Sequence, residues 1–189
     1  MAQKRKDWNG LISGFKASDL VFLDESGCNT DMTRRYADSL GGSRAVDSAP
    51  LSKPKNTTIL PSIQLDGTLR YTTFSGGTTV ERFKRYLETD LLPHLNGNSV
   101  LIMDNMKSHH ARAVRNLLDS SEVRCIYLPP YSPDLNPIEK LWSKVKSFLR
   151  KFKARTLDAL LNAIQCAFQT VSPSDCSGWF HSCGHSPYF

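Results

Sequence analysis

The chain has 189 residues, 40% hydrophobic and 22% charged, which suits one globular domain with a real core and excludes a disordered or fibrous chain. No run of about 18 apolar residues occurs, so no transmembrane helix is expected, and the basic start Met1–Trp8 lacks the apolar stretch of a signal peptide. The net charge of +6 fits a polyanionic partner, and five scattered cysteines without a C-x-x-C fit a reducing compartment. Cys176, His181, Cys183 and His185 match no common zinc spacing.

In chain order, residues 1–19 read as a polar lead-in. Leu20-Val21-Phe22-Leu23 is a short apolar run that ends in Asp24, as a fully buried central strand does. A second strand is expected over Thr33 to Ala37, followed by a loop over 41–56 that is marked by Gly41, Gly42, Pro50 and Pro54. Asp66-Gly67 between Thr57–Leu65 and Thr68–Phe74 predicts a hairpin. Pro61 cannot donate to a ladder, which predicts an edge position or a bulge there. Thr78 or Thr79 caps a helix reaching about Leu92, with Val80, Phe83, Leu87 and Leu91 on one face.

Ser99 to Met103 is a second apolar run, and it too ends in an aspartate, Asp104. A helix over about His110 to Leu118, a strand over Val123 to Leu128, and a stiff Pro129-Pro130-Tyr131-Ser132-Pro133 loop follow. Long helices are expected from about Pro137 and over about Thr156 to Val171, then a loosely ordered Ser172–Phe189 tail. A hairpin followed by alternating helices and strands predicts an α/β fold with a mixed sheet.

Sites in open α/β sheets form beyond the carboxyl ends of strands. Asp24 and Asp104, if side by side there, repel unless a hard cation lies between them, and oxygen ligands select Mg²⁺ or Mn²⁺. The alternative is that each merely ends a strand. Glu139 stands three residues after Asn136, so it either closes a capping box or points across the end of the sheet from the edge of the stripe Ile138, Leu141, Trp142, Val145, Phe148, Leu149, Phe152. Lys140, Lys144, Lys146, Arg150, Lys151, Lys153 and Arg155 put seven cations within 16 residues. They form either a solvated face or a phosphate-binding one.

Leu20–Gly27, Met103-Asp104-Asn105 with His109, and Tyr127-Leu128-Pro129-Pro130-Tyr131-Ser132-Pro133-Asp134-Leu135-Asn136-Pro137-Ile138-Glu139 resemble the DDE transposases. The likeness is to the bacterial insertion-sequence branch of the mariner superfamily, whose spacing is matched by the 34 residues between Asp104 and Glu139. The resemblance implies a ribonuclease-H-like fold with a mixed five-stranded sheet flanked by helices. It implies that Asp24, Asp104 and Glu139 are catalytic and bind two Mg²⁺, with Mn²⁺ able to substitute, for metal-dependent DNA cleavage and strand transfer.

On this reading Glu25, Asn105, His109 and Asn136 support the site, and Lys140, Lys144, Lys146, Arg150 and Lys151 bind DNA. His109 alternatively only starts a helix, and Glu25 is otherwise solvated. The division expected is a lead-in over 1–19, the catalytic domain over 20–155, and a C-terminal helix and tail over 156–189. Implied partners are DNA, as element ends and a target often at TA, and further copies of the chain assembled on that DNA. Residues 1–19 cannot hold the helix-turn-helix reader of such relatives, which points to a separate chain carrying it. The expected location is the bacterial cytoplasm, at the nucleoid. The competing readings are a nuclease without strand transfer and a non-catalytic DNA-binding remnant.

Overall fold

The computed structural model describes residues 2–34, 36, 38–48, 50 and 54–185. In chain order the elements are α1 (Ala2–Ile12), β1 (Leu20–Leu23), β2 (Ser26–Cys28), β3 (Thr57–Gln64), β4 (Leu69–Ser75), α2 (Val80–Tyr86), β5 (Val100–Met103), α3 (Arg112–Asp119), β6 (Arg124–Tyr127), α4 (Ile138–Phe152), α5 (Leu157–Gln169) and α6 (Pro173–Ser182). A π-helical turn over Leu87–Leu91 extends α2.

The sheet is mixed. β1 runs parallel to β5 and β5 to β6, while β3 is antiparallel to β1, β2 and β4. Six strands make five lanes, because β1 and β2 share one register on β3: Leu23 faces Ser62, and Ser26 faces Ile59. The lane breaks only at Asp24 and Glu25. Pro61 sits opposite that break, so the expectation of an edge or bulge at Pro61 is corrected: β3 is flanked on both sides. The Pro61 carbonyl accepts from the Asp24 N–H at 3.4 Å. The donor that proline lacks points the same way, to the place where the β1 lane already ends, which is why an interior proline is tolerated.

β1 and β5 are buried at every position, because both faces of the sheet are covered. Alternate residues serve opposite layers. Val21, Leu23, Leu101 and Met103 pack with Phe83, Leu87 and Val114 from α2, its extension and α3. Leu20, Phe22, Val100 and Ile102 pack with Trp8, Leu141, Val145, Ile164 and Phe180 from α1, α4, α5 and α6. The polar lead-in is therefore a helix whose Trp8 and Ile12 join the core. The tail is likewise corrected over its described part, since α6 is held by a Ser172–Asp175 capping box and buries Cys176 and Phe180.

The hairpin forms as expected, with Gly67 at φ +91° and Asp66 Oδ1 accepting from the Thr68 N–H at 2.8 Å. Of the expected strand over Thr33 to Ala37, residues 35 and 37 lie outside the described set, and the described ones are in no strand. The second strand in chain order is β2 instead, where Ser26–Cys28 continues the β1 register on β3. The described residues of 41–56 carry no helix or strand.

Candidate active site

β1 and β5 are parallel neighbours, so their carboxyl ends present Asp24 and Asp104 on the same side of the sheet. α4 starts beside them, because Asn136 Oδ1 accepts from the Ile138 N–H at 3.3 Å and the stripe Ile138, Leu141, Trp142, Val145, Leu149 docks on the sheet. Asp24, Asp104, Asn136 and Glu139 together line one cavity of about 470 Å³, whose far wall is Leu128 to Pro133. The capping-box alternative for Glu139 does not hold: the Asn136 N–H donates to the Pro133 carbonyl at 3.1 Å.

Burial pushes the Asp24 carboxyl up to about 7, a hydrogen bond from the Glu25 N–H pulls it back, and the charges of Asp104, Glu139 and Glu25 add to the rise. Asp24 Oδ1 accepts from that N–H at 2.7 Å, and Asn136 Nδ2 lies 3.4 Å from Oδ2.

Asp104 is placed differently. His109, fully buried, sets Nδ1 2.9 Å from Asp104 Oδ1 and Nε2 3.1 Å from Glu25 Oε2. Burial alone would lower the His109 pKa, but the two carboxylates hold it at about 9, so the ring is an imidazolium donating to both. Burial would likewise raise Asp104, but His109 and the Met106 N–H hold its carboxyl below the usual range. His109 also stacks on Phe83 with ring centroids 4.2 Å apart. It is thus an internal cation tying the ends of β1 and β5. α3 starts three residues later, so His109 is no helix-start residue. Glu25 is corrected from solvated to half-buried, and its Oε1 is buried with no hydrogen-bond partner among the described residues.

Asn105 ties its loop to the end of β6, donating from Nδ2 to the Leu128 carbonyl, and its Oδ1 lies 3.2 Å from His110 Nε2. Sequence reasoning missed Tyr127, whose hydroxyl donates to the His109 carbonyl at 3.2 Å and whose ring stacks on His110. The Tyr127–Glu139 motif includes it, but its role is not legible there, because its partners lie on another loop.

The donor set suits a hard divalent cation: carboxylate oxygens, half-buried at Asp24 and Asp104 and exposed at Glu139, in excess over nearby positive charge, with a buried, orphaned oxygen of Glu25 behind them. Among the described residues, however, no three His, Cys, Asp or Glu groups converge closely enough to hold one ion as they stand, and the zinc spacing near Cys176 likewise forms no such group. Asp24 and Asp104 each accept from their own local partners, the Glu25 N–H and the His109 ring.

The basic cluster divides. Lys144 donates to Asp175 at 2.6 Å, Lys153 to Asp47 at 2.7 Å, and Arg155 to the Thr30 carbonyl at 2.9 Å. Glu139, Ser143, Lys146 and Arg150 follow one edge of α4 at spacings of four, three and four. Lys146 lies over the Trp142 ring at 5.7 Å and offsets part of the burial that raises the Cys28 thiol, so this edge runs from the cavity toward β2. Lys140 and Lys151 are exposed on the adjoining edge.

Among known proteins, the Tc1 transposable-element transposase of Caenorhabditis elegans is 29% identical over 97 residues, covering 49% of this chain and 36% of that one. The insertion element IS630 uncharacterized 39 kDa protein of Shigella sonnei is 33% identical over 75 residues, 39% of this chain and 22% of that one. The chain thus spans well under half the length of the curated relatives it matches. The catalytic domain of Mos1 mariner transposase superposes with a TM-score of 0.73 at 18% identity, covering 96% of this chain and 86% of that one. A Mos1 paired-end complex with the left transposon end gives 0.81 at 19%, covering 95% and 57%. The fold is therefore that of the Mos1 catalytic domain, ribonuclease-H-like. The DDE superfamily endonuclease family matches residues 19–161, a span that includes all three carboxylates of the cavity, and the chain belongs to that family.

Proposed function

We propose that this chain is the catalytic part of a transposase that cleaves DNA and transfers the cut strand, with Asp24, Asp104 and Glu139 as its catalytic, metal-holding carboxylates. The observation that carries this reading is the meeting of the three acids, from the ends of β1 and β5 and the start of α4, in one cavity. The Mos1 structures of the same fold are described as a pre-cleavage transpososome, paired-end complexes with Mn and with Mg, and a strand transfer complex. That supports DNA as substrate, Mg²⁺ or Mn²⁺ as the metal, and several copies of the chain assembled on DNA; a pair of ions is a finer part of the proposal. A TA target and a separate helix-turn-helix chain are the finer parts of the proposal. So is the unit 20–155, with α1, α5 and α6 as its packing.

Bound ions would supply Lewis-acid chemistry: activation of a water or a 3′-hydroxyl, and neutralisation of the leaving oxygen. The chain's own residues do the rest. His109 and the Met106 N–H fix the Asp104 carboxylate, Asn136 and the Glu25 N–H fix that of Asp24, and the docked stripe of α4 fixes Glu139. Lys146 and Arg150, with Lys140 and Lys151, carry the phosphate backbone to the cavity.

The test is cleavage and joining of a duplex in Mg²⁺ or Mn²⁺. Asp24→Asn, Asp104→Asn and Glu139→Gln are each expected to abolish both reactions in a folded protein. Undiminished cleavage by Asp24→Asn would overturn the reading, and cleavage without joined product would favour a nuclease.

A further inference from the structure

The segment that delivers Asn136 and Glu139 is gripped from outside by two distant parts of the chain. From α1, Arg5 reaches residues 132–134: Nη1 donates to Ser132 Oγ at 3.3 Å and to Asp134 Oδ1 at 3.1 Å, and Nη2 donates to Asp134 Oδ2. From beyond α6, buried His185 donates through Nε2–H to the Leu135 carbonyl at 2.9 Å. The two holders touch, because Trp8, one turn past Arg5, meets the His185 ring edge-on at 5.5 Å. Inside the segment, the Leu135 N–H donates to Ser132 and the Asn136 N–H to Pro133, each at 3.1 Å, so the grip passes directly to Asn136. Asn136 then meets Asp24 and starts α4, three residues before Glu139.

The Arg5–Asp134 side chains are 39% and 58% exposed, and an ion pair that open adds little to stability. A bidentate guanidinium–carboxylate pair does, however, fix orientation as well as distance. We propose that Arg5, through Asp134 and Ser132, and His185, through Leu135, are positioning residues that set Asn136 and Glu139 against Asp24 and Asp104. The inference rests on the carboxylate-site reading above. Outer partners that orient metal-holding side chains typically change affinity or activity by 10- to 100-fold when removed, and small misplacements cost rate more than binding.

The experiment uses the full chain with Mn²⁺ and a duplex of arbitrary sequence. Arg5→Ala, Asp134→Ala and the double variant are each expected to lower kcat about tenfold by one common amount, with KM for DNA and Tm unchanged. The charge swap Arg5→Asp with Asp134→Arg is expected to recover most of the rate. Calorimetric Mn²⁺ affinity without DNA falls by a similar factor, and amide exchange quickens at Leu135 and Asn136 but not within α4. A raised KM in Arg5→Ala alone, with Asp134→Ala unaffected, would mean that Arg5 touches DNA directly and would overturn the proposal. So would parental Mn²⁺ affinity and kcat in both single variants. Asp24→Asn separates the two failures: if it too leaves Mn²⁺ binding unchanged, the carboxylate-site reading itself is wrong.

Discussion

Replacing Asp24 by asparagine should stabilise the metal-free protein, and by an amount that grows with pH. Burial and three neighbouring acids push the Asp24 carboxyl from its ordinary value near 4 up to about 7. An acid raised in the folded state favours folding fully below about 4, and that advantage is lost as pH rises through about 7. Between pH 5 and pH 8 the parent therefore loses stability that the asparagine variant does not. Two pH units below 7, at about 1.4 kcal/mol each, set a ceiling near 3 kcal/mol. Solvent reaching this half-buried side chain reduces that to about 1.5–3 kcal/mol. Asparagine Oδ1 can still accept from the Glu25 N–H, so the variant keeps that bond at both pH values. For a chain of this size the Tm gap between variant and parent should widen by roughly 3–12 °C from pH 5 to pH 8 in chelator. Adding Mg²⁺ at pH 8 should narrow the gap by stabilising only the parent. A gap that is the same at both pH values would refute the claim that uncompensated carboxylate charge is stored at Asp24.

His109→Phe keeps the stack on Phe83 but strands the Glu25 carboxylate, 9% exposed, and the half-buried Asp104 carboxylate, and should cost about 2–3 kcal/mol in urea denaturation at pH 7 once solvent screening of Asp104 is allowed for. The parent's His109 contribution is complete below about 6.5 and lost as pH rises through about 9, so the deficit should shrink toward pH 10; a constant deficit would point to packing alone. Gly67→Ala should destabilise by about 1–2 kcal/mol, since the added Cβ meets Pro173 Cα at 3.0 Å at a φ of +91°, and an unchanged Tm would refute the hairpin's docking on α6. If about four phosphates are neutralised at Lys140, Lys146, Arg150 and Lys151, log K for DNA falls with log salt at a slope of roughly −3.6. Reversing Lys140 and Lys146 should take that slope to about −1.8, whereas reversing Lys144 tests its Asp175 contact instead; no change in slope would leave the cluster a solvated face.

The amino-acid sequence by itself determined the elements whose signals are local. The apolar runs 20–23 and 100–103 could only be buried strands, Asp66-Gly67 made the hairpin, and the stripe of α4 had to dock, so two aspartates at strand ends and a glutamate at a helix start were legible as one candidate site. Tertiary structure decided what depends on a distant partner. Ser26-Gly27-Cys28 has no strand pattern of its own and becomes β2 because β1 has already fixed the register of β3. Pro61 is tolerated inside the sheet because its missing donor faces the break in that lane. Lys144, Lys153 and Arg155 look like their neighbours in the sequence, yet they are engaged by Asp175, Asp47 and Thr30. The Glu25 half of the contact that holds the charge on His109, and the approach of Asn136 to Asp24, come from groups 84 and 112 residues apart meeting in the fold. Residue spacing carries no information on that meeting, because burial and through-space charge are properties of the assembled fold.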